Sequence, residues 1–403
     1  MKKKITVISA ALAAVILLSL AFVFLVCGPF DERGLDYKVN EDGTTCTITG
    51  IGSCKAKVIE IPEEMDGYAV VALAKRAFMN CTKPVEISIP ESVTSIGANA
   101  FYGCSSLKKV NIPQNITALN SGLFYGCSSL ENIRIPEGVT FLGDAVFAEC
   151  SLLSAIVLPK NLQSMGGMTF YKCASLETMV IPDAIKAIGD GTFYDCKKLK
   201  TVRFAEDITK FGTYAFYGCT SLTEFTIPEG VTEIAPWLFT YCENLTSVTI
   251  PNHIKKIGER AFSACYALES VRLPEELEEM GYYVFAECFS LKEIVLPDKL
   301  KTMDVKCFYD CKKLEHITLS NSLEAITENM FWKCKVLKEI TIPVSVKKLD
   351  SGIFKDSGVE TIRYEGTAAQ WNAIEKNDIW DKDMKDYEII CTDGTVITQE
   401  TKN

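Results

Sequence analysis

The chain has 403 residues, 48% of them hydrophobic and 23% charged, values of an ordinary folded protein rather than a disordered one. Its formal net charge is −10, or −13 (−10 − 3) without Lys2, Lys3 and Lys4, because no acidic residue precedes Asp31. Nucleic-acid binding needs a positive footprint, so the acid excess argues against it; it fits a soluble surface or a partner with a basic patch.

Met1-Lys2-Lys3-Lys4 is a positive n-region, and Ile5 to Cys27 follow as an apolar run without charge. A helix crosses a bilayer with roughly 20 such residues. Lysines before the run and Asp31-Glu32-Arg33 after it place the N-terminus in the cytosol and the body outside. Three fates stay open for residues 1–27. Length favours a signal anchor, because a secretory h-region is about 7–15 residues. Cleavage as a signal peptide has no Ala-x-Ala site to support it. Lipidation at Cys27 would use a poor lipobox, Phe24-Leu25-Val26-Cys27, in which Val26 replaces the small residue. Each fate exports residues 28–403, with membrane contact through residues 5–27.

Residues 28–77 read as a linker and capping repeat. The stretch from Ile61-Pro62 to Phe78 is five residues longer than its later counterparts, and Asp66-Gly67 marks a turn in it. Residues 78–364 are periodic. Phenylalanine recurs every 23 residues: Phe78, Phe101, Phe124, Phe147, Phe170, Phe193, Phe216, Phe239, Phe262, Phe285, Phe308, Phe331 and Phe354. A fixed period in this range, rich in Leu and Ile, means a leucine-rich repeat solenoid. The fold expected is a right-handed coil of short parallel β-strands in 23-residue repeats with little helix.

In residues 107–129, Leu107, Val110 and Ile112 face inward from a strand that Pro113 ends. Ile116 and Leu119 form a second inward set, and Phe124 and Cys127 close the coil. Stacked at about 4.8 Å, the coils make a body roughly 60 Å long. Phe204-Ala205 and Leu319-Ser320 lack the proline and should form looser corners; Gly97, Gly189 and Gly258 mark a left-handed or tightly packed turn. Residues 365–403 form a C-terminal cap and tail, with a short helix over 368–375 and a hairpin around Asp393-Gly394.

Twelve of the 17 cysteines stand three residues after a ladder phenylalanine, from Cys81 to Cys334, and Ser357 fills the last slot. Such regularity indicates buried thiols acting as small hydrophobes, with occasional cross-repeat disulfides still open. Cys46 and Cys54 are the expected disulfide, and Cys307 is expected to face out. The 23-residue interval lacks the short spacing of zinc sites, so no metal is expected.

The run Ile89-Pro90-x-x-Val93-x-x-Ile96-Gly97-x-x-Ala100-Phe101-x-x-Cys104-x-x-Leu107 resembles the BspA-like leucine-rich repeat, as do the opening Tyr37 to Thr44 and the ending Tyr364-x-Gly366-Thr367 to Trp371. The resemblance covers about residues 37–380. It implies a surface-exposed or secreted protein, most often bacterial, in a family where some members bind host extracellular proteins or other microbial cells. The shared motif is structural, so it transfers no functional residue.

Outward strand positions supply the first candidate binding face: Arg134, Arg203, Arg272, Glu224, Glu293 and His316, with the arginines foremost for their rigid multi-donor fork. An aromatic stripe one residue after the phenylalanines is the second: Tyr102, Tyr125, Tyr171, Tyr194, Tyr217, Tyr309 and Trp332. The only histidines, His253 and His316, fall in different parts of the unit, and no nucleophile elbow, phosphate loop or His-x-x-x-His motif occurs. The expectation is therefore no enzyme and no cofactor. It is an exported recognition or adhesion module, membrane-anchored or secreted, that binds an extracellular protein or glycan. The alternative is a structural cell-envelope protein acting by self-association.

Overall fold

A computed structural model describes residues 34–205 and 207–399. The expected leader, its membrane contact and Cys27 lie outside the described residues. Among those described, no helix is long and apolar enough to cross a membrane.

The chain forms a parallel β-solenoid whose coils follow the 23-residue period. Strand Thr178–Val180 pairs in parallel with Thr201–Arg203, Thr178 opposite Thr201 and Met179 opposite Val202. The same register recurs at Glu224–Thr226 with Ser247–Thr249 and at Glu293–Val295 with His316–Thr318. A second row of two-residue strands follows the corner: Ala118–Leu119, Phe141–Leu142 and Ser164–Met165 form one sheet. Ile116 and Leu119 are expected only as inward residues; Leu119 lies here in a strand, and Ile116 precedes it in the corner. In both rows side chains alternate, so one residue points to the core and the next to solvent.

The third side is a run of tandem turns around each phenylalanine. Amides alternate in what they bond. Ala100, Tyr102 and Cys104 donate three residues back within the turn, at 3.2, 3.1 and 3.2 Å. Asn99, Phe101 and Gly103 donate to Ser121, Leu123 and Tyr125 of the next coil, at 3.0, 3.0 and 2.6 Å. This geometry places two left-handed residues in each coil, two before and two after the phenylalanine: Asn99 (φ 57°) and Gly103 (φ 71°), Trp237 (φ 59°) and Tyr241 (φ 59°). Gly97, Gly189 and Gly258 are not the left-handed residues. Gly97 is tightly packed, since a Cβ there would sit 2.4 Å from the Lys75 backbone nitrogen.

Inside, the thirteen ladder phenylalanines form one stack. Neighbouring ring centroids are 5.4–5.8 Å apart with planes 3–16° from parallel. Beside it runs the thiol ladder. Cys104 Sγ donates to the Phe78 carbonyl at 3.1 Å, Cys196 to Phe170 at 3.1 Å, and Cys334 to Phe308 at 3.1 Å. From Cys104 to Cys334 each thiol thus reaches one coil back and gives a second donor to a buried carbonyl that already accepts the amide three residues on, as Phe170 does from Cys173 at 3.0 Å.

Every described cysteine is free. This corrects the expected Cys46–Cys54 disulfide: Cys46 sits in strand Thr45–Gly50 with its Sγ donating to the Tyr68 carbonyl at 3.5 Å, while the Cys54 backbone packs on Gly34. Cys307 is likewise not outward. It is fully buried, its Sγ 3.2 Å from both the Gly281 and Asp304 carbonyls. It occupies the inward slot that Ala100, Leu123 and Val146 fill in other coils. The proline-free corners differ. Ile208 N to Ala205 O lengthens to 3.4 Å, whereas Leu323 N to Ser320 O is 3.1 Å, equal to Ile116 N to Pro113 O. Ser320 is fully buried, and only the first corner is loose.

Both core ends are covered. At the N-terminal end Asp36–Val39 pairs antiparallel with Thr45–Gly50, which runs parallel to Tyr68–Leu73. The long first unit folds back as the hairpin Glu64–Met65 with Tyr68–Leu73, turning at Asp66 (φ 50°) and Gly67 (φ 86°). At the other end helix Ala368–Ala373 carries a capping box between Thr367 and Gln370 and buries Trp371. Strand Tyr387–Cys391 then extends the sheet beyond Thr361–Tyr364, and a hairpin through Gly394 (φ 82°) ends it.

Candidate binding faces

The first strand row presents an exposed face on which shallow depressions form between coils. Arg203 and Glu224 line one of 370 Å³ together with Thr201, Thr226 and Thr249. Arg272 and Glu293 line another of 470 Å³ with Val295. His316 lines a third of 630 Å³ with Glu339 and Thr341. Arg134 is exposed but lines none of these three. The structure therefore brings five of the six predicted strand-face residues to depressions, four of them as two diagonal Arg–Glu pairs from adjacent coils.

Their electrostatic states differ. Arg272 is paired with Glu275 at 3.1 Å, whereas Arg134 and Arg203 make no ion pair among the described residues. Arg363 bonds Glu339 at 2.7 Å and holds that carboxyl below its usual range. Open apolar side chains lie between the arginines: Val157 is 80% exposed, Val180 63% and Val295 64%. The face can thus offer free guanidinium groups, carboxylates and branched apolar contacts within a few coils.

The tandem-turn side carries the aromatic stripe. Tyr102 and Tyr125 stack at 4.7 Å, Tyr171 and Tyr194 at 4.9 Å, Tyr194 and Tyr217 at 4.4 Å, and Tyr309 lies 4.8 Å from Trp332. All seven are half-buried. Stacking along the solenoid axis occupies their ring faces, so tyrosines in the stripe show edges and hydroxyls outward rather than flat platforms. Burial, with the Glu149 charge adding to it, pushes the Tyr125 hydroxyl up to about 12, so it stays a neutral donor. The stripe is interrupted at Ala148 and again at Thr240, Ser263 and Ala286, all buried.

A second aromatic column, two residues before the phenylalanines, escapes the sequence reading: Tyr214, Trp237, Arg260 and Tyr283. It joins the stripe, with Tyr214 5.9 Å from Tyr217 and Tyr283 6.5 Å from Tyr309. Trp237 lies 5.4 Å from Tyr214, and the Arg260 guanidinium sits 4.7 Å from the Trp237 ring and 4.1 Å from Tyr283. Aligning every column against the period, not only the one after Phe, would have found it. His253 bonds the Val231 carbonyl at 2.8 Å through Nε2, on a corner rather than on the strand face with His316. Among the described residues, no group of three or more His, Cys, Asp or Glu side chains is placed to hold a metal ion.

A closed coil of this period with one strand face and one turn face defines a leucine-rich-repeat scaffold. The BspA type leucine rich repeat region (6 copies) matches residues 71–200, 164–288 and 236–361, and the chain belongs to that family. No curated protein matches the chain. Among solved structures, a leucine-rich repeat protein from Bacteroides ovatus ATCC 8483 is similar at 24% identity and TM-score 0.63, over 89% of this chain and 98% of that one. A leucine rich cell surface protein from Faecalibacterium prausnitzii A2-165 is 25% identical with TM-score 0.50, over 86% and 97%. The pneumococcal vaccine antigen PcpA shares the fold at 19% identity and TM-score 0.59, over 89% and 92%.

Proposed function

We propose that this is an extracytoplasmic recognition or adhesion protein that binds an extracellular protein or glycan through a solenoid face and performs no catalysis. The observation that carries the reading is the strand face, where Arg203 with Glu224 and Arg272 with Glu293 line two depressions three coils apart. The description of the Faecalibacterium relative as a cell surface protein supports the location. Residues 5–27 would anchor the body at the surface, or release it if cleaved. Self-association of an envelope protein is the weaker reading, because both core ends are covered by caps.

The test is binding of the detergent-solubilised full chain to intact microbial cells, extracellular-matrix proteins and a glycan array. Saturable binding that is lost on combined Arg134→Ala, Arg203→Ala and Arg272→Ala substitution is the expected result. Binding unchanged by the triple substitution would reject the strand face.

A further inference from the structure

In the column two residues before the phenylalanines every backbone is left-handed. Asn99 (φ 57°), Gly122 (φ 64°), Gly191 (φ 57°), Asn329 (φ 54°) and Gly352 (φ 59°) hold the slot in some coils. Glycine and asparagine take this conformation readily, and bulky residues rarely do. Yet successive coils place Tyr214 (φ 60°), Trp237 (φ 59°), Arg260 (φ 53°) and Tyr283 (φ 58°) there. The turn alone does not select such side chains, so what they present is the reason to look for a role.

What they present is a cation without a counter-charge. The Arg260 side chain makes no hydrogen bond or ion pair among the described residues, and its buried Nε lacks a partner. The carboxylate beside it is already engaged: Glu259 accepts from Trp237 Nε1 at 2.9 Å, and its interaction with the Tyr282 hydroxyl pushes that phenol up. The bond to Nε1 also fixes the indole in place. Arg260 is therefore held by aromatic rings alone, partly open to solvent, with its fork of donors unused.

We infer that Tyr214, Trp237, Arg260, Tyr282 and Tyr283 form a binding site for a carboxylated saccharide on the turn face. Arg260 takes the carboxylate in a charge-assisted bond, the rings cover the C–H face of the sugar, and Tyr282 and Tyr283 meet its hydroxyls. An extended acidic peptide fits less well. A peptide that adds as a strand needs open backbone, and an acidic motif held by side chains needs a cluster of arginines; here the amides of Trp237 and Arg260 already donate to the Glu259 and Tyr282 carbonyls of the next coil at 2.8 and 2.9 Å, and Arg260 is the one arginine of the column between Tyr214 and Tyr283. The inference rests on the recognition reading but assigns the sugar to a face other than the arginine-bearing strands.

The test titrates the detergent-solubilised full chain with oligogalacturonate, sialyllactose, neutral lactose and a glutamate-rich peptide, by tryptophan fluorescence and calorimetry. Binding of either carboxylated sugar at least tenfold tighter than lactose is expected, and which one binds separates a uronic from a sialic source. Arg260→Gln should weaken that binding at least tenfold. Trp237→Asn, suited to the left-handed backbone, should do the same with the coil intact by circular dichroism. Combined Arg134, Arg203 and Arg272 substitution should leave it unchanged. Equal binding of lactose, equal binding of the peptide, or full affinity in Arg260→Gln would overturn the site. If no sugar binds while cell capture still depends on the strand arginines, this site fails and the recognition reading stands. If neither face binds anything, both fail.

Discussion

Each carbonyl of the phenylalanine ladder from Phe78 to Phe308 lies where the thiol of the next coil reaches it, as Cys196 reaches Phe170 at 3.1 Å. Alanine in that place would leave the Phe170 carbonyl with only its second donor, the Cys173 amide at 3.0 Å, and would open a small void beside the rings. Cys196→Ala should therefore cost about 1–3 kcal/mol, and Phe193→Ala, which opens a gap in a continuous stack, about 3–5 kcal/mol. Urea denaturation measures both; a Cys196→Ala midpoint equal to that of the parent would show that the thiol bond adds nothing. Burial also predicts selectivity. Cys81 is the half-exposed thiol, while Cys104 to Cys334 are fully buried. Iodoacetamide on the native protein near pH 7.5 should label Cys81 and spare that ladder, read by peptide mass spectrometry.

At the level of the coil, two kinds of glycine behave differently. A Cβ on Gly97 would lie 2.4 Å from the Lys75 nitrogen and one on Gly258 2.5 Å from the Pro236 nitrogen, both backbone atoms that move only if the coils separate. A Cβ on Gly126 meets nothing nearer than 3.5 Å, although its φ is 71°. Gly126→Ala should thus cost about 1–2 kcal/mol, the left-handed penalty alone. Gly97→Ala and Gly258→Ala should cost clearly more, and chemical denaturation of the three variants ranks them. The first strand row, the corner prolines, the helix at Ala368–Ala373 and the turn at Gly394 were legible because each has a local chemical signature; the two-residue strands of the second row were too short to leave one. The left-handed columns had none. Arg76, Met168, Tyr214 and Trp237 stand in slots that elsewhere hold Gly or Asn, stabilised by coil-to-coil hydrogen bonds rather than by residue type. The same fact hid half of the turn face, since Arg260 and its rings look like scattered surface residues until the coils are stacked. The strand-face residues were legible because alternation alone decides which side chain points out. Cys307 breaks the cysteine period but belongs to the column just before the phenylalanines, whose occupants are all inward, and only stacking the coils shows that.

For the whole molecule, the surface and the core contribute unequally to holding coils together. Lysine–glutamate pairs link adjacent coils, among them Lys109–Glu86 at 2.6 Å, Lys255–Glu278 at 2.9 Å and Lys292–Glu269 at 2.8 Å. All are open to solvent and screened by salt, so the melting temperature should shift little between 0.1 and 1 M NaCl. The thiol ladder couples the coils far more strongly to pH. Burial pushes Cys104, Cys307 and Cys334 up to about 12, and Cys127, Cys150, Cys173, Cys219, Cys265 and Cys311 well above the normal thiol range. An unfolded thiol ionises at about 8.5. Below that pH both states keep the proton and the stability is fully present. Above it the unfolded chain loses protons that the folded chain retains, so stability falls as pH rises toward about 12. Each such thiol adds a slope of at most about 1.4 kcal/mol per pH unit, and thiols in coils that unfold together add their slopes. The melting temperature should therefore be level from pH 7 to 8 and drop steeply from 9 to 10. Combined Cys173→Ala, Cys196→Ala and Cys219→Ala substitution should lower it at pH 7 yet flatten the alkaline descent, because three of the titrating groups are gone. A parent protein whose melting temperature holds level to pH 10, or a triple variant with an unchanged slope, would mean that the ladder does not govern alkaline stability.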